Sequence, residues 1–255
     1  MIEIRNIRKT FDGRTVLNNI SAVFETGKTN LIIGQSGSGK TVLLKCIIGL
    51  LRPDSGDIMY DDAGILHLRK HELDKLRKEM GMLFQGSALF DSMTVLENVM
   101  FPLDMISRDS YRDRKKRAMF CLERVNLLNS EHLYPSEISG GMMKRAGIAR
   151  AIALNPKYLF CDEPNSGLDP KTSLLIDELI HDITKDYRMT TVINTHDMNS
   201  VINIGETIAF IKEGVLEWQG NKFEVITSNN QALNDFVFAS DLFRKIKDME
   251  NQKEG

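Results

Sequence analysis

Apolar residues fall at near-alternate positions early in the chain, at Ile2, Ile4 and Ile7 and again at Ile20, Ala22 and Phe24. A period of two predicts antiparallel strands, with Asp12-Gly13 turning between them. Glu25-Thr26-Gly27-Lys28 predicts a second turn, feeding a strand over 29–33. Residues 42–51 read as a helix, Arg52-Pro53-Asp54-Ser55-Gly56 as a breaker and 57–60 as a short returning strand. From about 85 to 154 helical spacing takes over, as in Met119, Leu122, Val125 and Leu127. Asn155-Pro156 ends that stretch, and 157–162 holds the apolar run 158–161 closing on a carboxylate, the pattern of a buried strand. Leu174, the stretch 176–180 and Ile183 predict a helix, 190–194 another strand, and 207–211 with 215–219 a hairpin turned by Lys212-Glu213-Gly214. Beyond Asn229, the spacing of Leu233, Phe236, Val237, Phe243 and Ile246 predicts an amphipathic helix, and 248–255 a polar, mobile end.

The strand at 29–33 and the helix at 42–51 enclose Gly34-Gln35-Ser36-Gly37-Ser38-Gly39-Lys40-Thr41, a phosphate cradle of the P-loop type. Glycines let the backbone bend until several N–H groups face one anion, and the following helix adds its positive end. Lys40 then reaches the β- and γ-phosphates and the Thr41 hydroxyl ligates Mg²⁺. Asp162-Glu163 supplies two carboxylates with separable tasks: Asp162 in the Mg²⁺ shell, Glu163 orienting or deprotonating the water that attacks the γ-phosphate. Ser139-Gly140-Gly141 is a second Gly-rich helix start and so a second anion site, or else an ordinary cap with Ser139 as the N-cap residue. One nucleotide per chain needs one cradle, so a second anion site would serve a nucleotide held by another subunit.

In their order and spacing these segments resemble an ATP-binding-cassette (ABC) ATPase subunit over residues 11–219. The matching pieces are the aromatic Phe11, the Walker A loop at 34–41, the Q-loop Gln85, the signature Ile138-Ser139-Gly140-Gly141-Met142, Walker B at 158–162 followed by Glu163, the D-loop Ser166-Gly167-Leu168-Asp169 and the switch His196. The resemblance implies an α/β P-loop NTPase core with an N-terminal antiparallel β subdomain and an inserted α-helical subdomain. Its ATPase domain would span 1–226, with the RecA-like core at about 1–85 and 156–226, the helical insertion at about 86–155, and a C-terminal helix and tail at 227–255. It implies a head-to-tail dimer that sandwiches ATP and Mg²⁺ between the P-loop of one copy and the Ser139-Gly140-Gly141 helix of the other. Phe11 would stack on adenine beside Val16. Gln35, Ser36, Gly37, Ser38 and Gly39 would wrap the phosphates with Gly34, Lys40 and Thr41. Gln85 would join the Mg²⁺ and water network, His196 would hydrogen-bond the γ-phosphate and Asp169 would couple the two sites. Phe11 stands where the family usually has Tyr, which keeps the stacking face. Met142 stands where it usually has Gln and loses a strong hydrogen-bonding group.

Within that family, 82–99 and the stretch Ser136-Glu137-Ile138-Ser139-Gly140-Gly141-Met142 are similar to the ATPases of maintenance-of-lipid-asymmetry (Mla) phospholipid transporters. That resemblance implies membrane permease subunits and an MCE-domain lipid-binding protein as partners, and a peripheral place on the cytoplasmic face of the inner membrane. An importer ATPase for a small polar solute shares much of the same scaffold. A soluble ABC ATPase of nucleic-acid repair or translation is the competing class.

Composition narrows this further. The chain has 255 residues with 33 Lys and Arg against 35 Asp and Glu, a formal charge of −2, which gives no general affinity for nucleic acid. The basic cluster at 112–117 has Asp109 and Asp113 beside it and reads as a solvated face. Cys46, Cys121 and Cys161 are far apart, without the spacing of a disulfide framework or zinc knuckle. The N-terminus lacks the apolar core of a signal peptide, and no stretch approaches the roughly 20 apolar residues that span a bilayer.

Overall fold

The computed structural model describes residues 1–238, which divide into two compact units, 1–67 with 194 onward, and 68–193. Those beyond 238, including Phe243, Ile246 and the polar end of the expected tail, lie outside the described residues.

In the first unit, β1 (Ile2–Phe11) and β2 (Arg14–Phe24) pair antiparallel around Asp12-Gly13, with Ile2 opposite Phe24 and Ile4 opposite Ala22. β3 (Thr29–Ile33) runs buried along its whole length into α1 (Lys40–Ile47). The helix is shorter than the 42–51 expected. After Cys46 the chain turns at Gly49 (φ 71°), whose amide bonds to the Cys46 carbonyl, while Leu50 and Leu51 bond back to Lys45. β4 (Ser55–Tyr60) and β5 (Ala63–Gly64) complete a sheet of order β2-β1-β4-β5. α7 (Met198–Ile204) precedes the hairpin of β9 (Thr207–Lys212) and β10 (Val215–Gly220), and β3 lies parallel to β9 with Ile33 beside Phe210. Leu31, Ile32, Ile33, Ile208 and Phe210 are essentially removed from water and form the centre of this unit's core. Two short helices follow, α8 (Lys222–Thr227) and α9 (Gln231–Val237). α9 packs on its own unit: Leu233 is buried and the Phe236 ring stacks on Phe210 at 5.2 Å.

The second unit holds α2 (Lys70–Lys78), β6 (Met80–Leu83), α3 (Val95–Ile106), α4 (Tyr111–Arg124), α5 (Gly140–Ala151), β7 (Tyr158–Asp162), α6 (Pro170–Tyr187) and β8 (Thr190–Thr195), whose last residues lead back into the first unit. The helical stretch expected over 86–155 lies inside this unit as α3, α4 and α5. Their starts obey local capping chemistry: Thr94, Ser110 and Ser139 each accept an amide hydrogen from three residues on. Of the basic cluster, Arg114 pairs with Asp104 at 2.7 Å and Arg117 donates to the carbonyls of Ile152 and Ala153 at the end of α5, while Arg112, Lys115 and Lys116 are exposed. Cys46, Cys121 and Cys161 are buried free thiols.

The pattern of apolar residues does not reveal β6, which pairs parallel with β7 from Met80 opposite Tyr158 to Leu83 opposite Cys161. Four residues with a glycine in the middle carry little strand signal. Gly81 is required by a close approach, because a Cβ there would lie 2.3 Å from the Ala151 carbonyl oxygen at the end of α5. Gly81→Ala is therefore expected to cost about 1–3 kcal/mol, seen as a melting temperature lower by roughly 2–4 °C per kcal/mol. An unchanged melting curve would show that helix and strand are not so close.

Candidate functional site

In the first unit the loop between β3 and α1 has the features of an anion cradle. Gly39 is the N-cap of α1 and no side chain caps the helix, so its first-turn amides are not taken up by a capping group. Gly34 has φ 149°, and a Cβ there would lie 2.1 Å from the Ile211 carbonyl oxygen and 2.9 Å from Ser38 Oγ, so a side chain would displace the loop. The loop is tied from outside by the Gly214 amide, which donates to the Ser38 carbonyl at 3.0 Å. Lys40 is only 6% exposed, and its ammonium donates to the carbonyls of Gly34 (2.7 Å) and Gln35 (3.0 Å). Ser38 Oγ is buried without a hydrogen-bond partner, an uncommon state that a phosphate oxygen over the loop would relieve.

Other expected residues of this unit lie near the loop or at its surface. Gln35, Ser36 and Gly37 are exposed and, with Val16, Ser38 and Phe236, line a cavity of about 750 Å³. Phe11 is 40% exposed, with the Lys9 ammonium 5.3 Å from its ring centre. The exposed Thr41 accepts a hydrogen from the Asn194 side-chain amide at 3.2 Å, which leaves its oxygen a second lone pair for a cation. His196 is exposed just beyond the end of β8.

In the second unit β7 delivers Asp162 at its last position, and Glu163 follows with a left-handed backbone, φ 49°; both are half-buried. The Glu163 carbonyl accepts the Ser166 amide at 3.2 Å, and the exposed Gln85 donates its side-chain amide to Ser166 Oγ at 3.3 Å. Gln85, Glu163 and the D-loop serine thus form one connected group. Ser139 caps α5 by accepting the Met142 amide at 3.3 Å, and Gly140 and Gly141 open that helix. As a cap the Ser139 hydroxyl accepts, which leaves its proton available for an anion. Asp169 caps α6, and its hydrogen bonds from the Thr172 hydroxyl and amide hold its carboxyl below the usual range. Ser139, Gly140, Gly141, Leu168, Asp169 and Thr172 line a single cavity of about 430 Å³.

Three side chains at these sites escape a reading of motifs. Asn194 holds Thr41, Arg150 donates to the carbonyls of Ser87 and Ala88, and the buried Lys144 contacts the carbonyls of Gln85 and Glu163. The only signal for Lys144 in the sequence is a lysine on the otherwise small and apolar face of a helix.

A bare glycine-lined loop feeding a helix, and a buried strand ending in Asp-Glu, define a P-loop nucleoside triphosphatase. The chain belongs to the ABC transporter family, whose pattern it matches over residues 17–166. It shares 43% identity over 223 residues with the methionine import ATP-binding protein MetN of Carboxydothermus hydrogenoformans, covering 86% of this chain and 66% of the relative. It shares 35% identity over 236 residues with a Mycobacterium leprae protein named probable ribonucleotide transport ATP-binding protein mkl, covering 92% of this chain and 68% of that one. The chain thus spans about two thirds of the length of these curated relatives. Among solved structures it is similar to the dimeric post-hydrolysis state of the ATP-binding cassette MJ0796 bound to ADP and Pi, with a TM-score of 0.78, 34% identity, and coverage of 87% of this chain and 99% of that one. It is also similar to cbiO1 of Clostridium perfringens, part of the complex cbiONQ, with a TM-score of 0.83, 27% identity and coverage of 98% of each chain. The fold is that of an ABC ATPase, an enzyme class that hydrolyses ATP with Mg²⁺.

Proposed function

We propose that the chain is the ATP-hydrolysing subunit of a membrane transporter, working as a head-to-tail dimer in which each nucleotide is held by two copies. The single observation that carries this reading is the pair of anion-ready helix starts in one chain. One is the cradle with its orphaned Ser38 hydroxyl, and the other is the Ser139-Gly140-Gly141 start that shares a cavity with Asp169. A lone ATPase has no use for the second.

In this reading the amides of 34–41 and the Lys40 ammonium bind the phosphates, and Phe11 and Val16 receive the adenine. Thr41 and Asp162 hold Mg²⁺, which neutralises charge on the phosphates. Glu163 takes the proton of the attacking water, with Gln85 and His196 orienting water and γ-phosphate. The partner copy contributes its Ser139, Gly140 and Gly141, and Asp169 links the two sites. The work is delivered to separate permease subunits, with the chain on the cytoplasmic face of the inner membrane; among the described residues no helix is long and apolar enough to cross a membrane.

For the cargo, the similarity of 82–99 and Met142 to Mla-type ATPases supports a phospholipid, with an MCE-domain protein as a further partner and no nucleic acid. A second reading, import of a small polar solute, is supported by the relative named for methionine import. The deciding experiment purifies the transporter from membranes through a tag on this chain and identifies the bound cargo. A co-purifying permease with phospholipid, and turnover stimulated by lipid, is expected. Stimulation by methionine without bound lipid would replace the lipid reading, and recovery without any permease would overturn the transporter reading.

A further inference from the structure

We propose that Lys144 is a positioning residue of the hydrolytic centre, holding the main-chain carbonyls of Gln85 and Glu163 and so joining the helix of Ser139 to the residues that handle the attacking water. The inference rests on the reading of Glu163 as the general base.

Lys144 lies on α5, five residues after the Ser139 cap, and is only 4% exposed. Its ammonium donates to the Gln85 carbonyl and lies 3.5 Å from the Glu163 carbonyl. Burial holds its pKa below the usual lysine value, opposed in part by the neighbouring Cys161 and Glu163. An ammonium is an expensive way to fill space, since an unbranched apolar side chain would pack there without desolvating a charge. What it supplies is directional: a donor that fixes two carbonyls from different segments.

Those segments need fixing. Glu163 sits at φ 49°, and Ser87 and Ala88, just after Gln85, at 61° and 48°, a region unfavourable for any residue with a Cβ. Arg150, further along α5, donates to the carbonyls of Ser87 (2.6 Å) and Ala88 (2.7 Å). One helix therefore carries Ser139-Gly140-Gly141 at its start and grips the Gln85 segment twice along its length. A displacement of the Ser139 end by nucleotide is passed through Lys144 to the backbone of the base itself.

The test compares wild type, Glu163→Gln, Lys144→Met and Lys144→Gln for Mg-ATP turnover, direct Mg-ATP binding and melting temperature. Lys144→Met keeps the length and loses the donor. Turnover should fall roughly 10²-fold, the scale of a misplaced catalytic group, with the ATP Kd within about twofold of wild type. Lys144→Gln, which can still donate to one carbonyl, should recover turnover to within about tenfold of wild type. If the Met variant does not fold, the Gln variant decides alone, by whether turnover falls while ATP affinity holds. Turnover of Lys144→Met within about twofold of wild type would overturn the proposal, as would parallel losses of turnover, affinity and melting temperature in both variants. If Glu163→Gln turns over as fast as wild type, the reading of the base has failed and the role of Lys144 falls with it; if only the Lys144 variants behave as wild type, that role alone has failed.

Discussion

Glu163→Gln is expected to bind Mg-ATP as the wild-type chain does and to hydrolyse it about 10²- to 10⁴-fold more slowly, the contribution of a positioned general base. Gln keeps the volume and planar end of Glu and removes the charge and with it the ability to take a proton, so binding and chemistry separate. The surroundings of Glu163 make the substitution clean. Its left-handed backbone is held through its carbonyl by the Ser166 amide and the Lys144 ammonium, contacts to a main-chain atom that the substitution leaves in place. Folding should therefore be unaffected, and closed dimers should accumulate with ATP bound, measurable by size-exclusion chromatography with light scattering. Turnover near that of wild type would reject Glu163 as the base.

Lys40→Ala is expected to weaken Mg-ATP binding by roughly 10²-fold or more, since one or two charge-assisted hydrogen bonds, at about 1.5–3 kcal/mol each, are lost. Lys40 already donates to two carbonyls of its own loop, so its ammonium is placed by the loop before any phosphate arrives. The same contacts mean that part of the loss reflects a looser loop. Melting of the nucleotide-free protein separates the two contributions, because loop loosening lowers the melting temperature without ATP and a missing phosphate contact does not. Undiminished binding in isothermal titration would reject the assignment of the loop.

Chemistry was legible wherever a residue's role follows from its neighbours along the chain. The loop at 34–41 declares itself because its glycines, lysine and threonine fall within eight residues, and 158–161 because a strand buried on both faces needs an unbroken apolar run. For Ser139 the sequence allows both a cap and an anion site, and the two are compatible, since the cap uses its oxygen as acceptor and leaves the proton. β6 escapes the apolar pattern because its glycine answers to a helix end about 70 residues later, and α1 ends sooner than its apolar residues suggest because Gly49 turns the chain. Beyond Asn229 the apolar spacing predicts a helix; α9 occupies Gln231–Val237, and the predicted positions Phe243 and Ile246 lie outside the described residues.

By itself, then, the sequence determined the nucleotide chemistry, the family and the α/β fold class, because each rests on local spacing or on a fixed run of side-chain types. Only the tertiary structure decided that Asn194 holds Thr41, that Gln85 meets Ser166, and that a buried lysine on α5 grips two carbonyls from distant segments. Such contacts join residues remote along the chain and end on main-chain atoms that every residue possesses, so no pattern of side chains announces them.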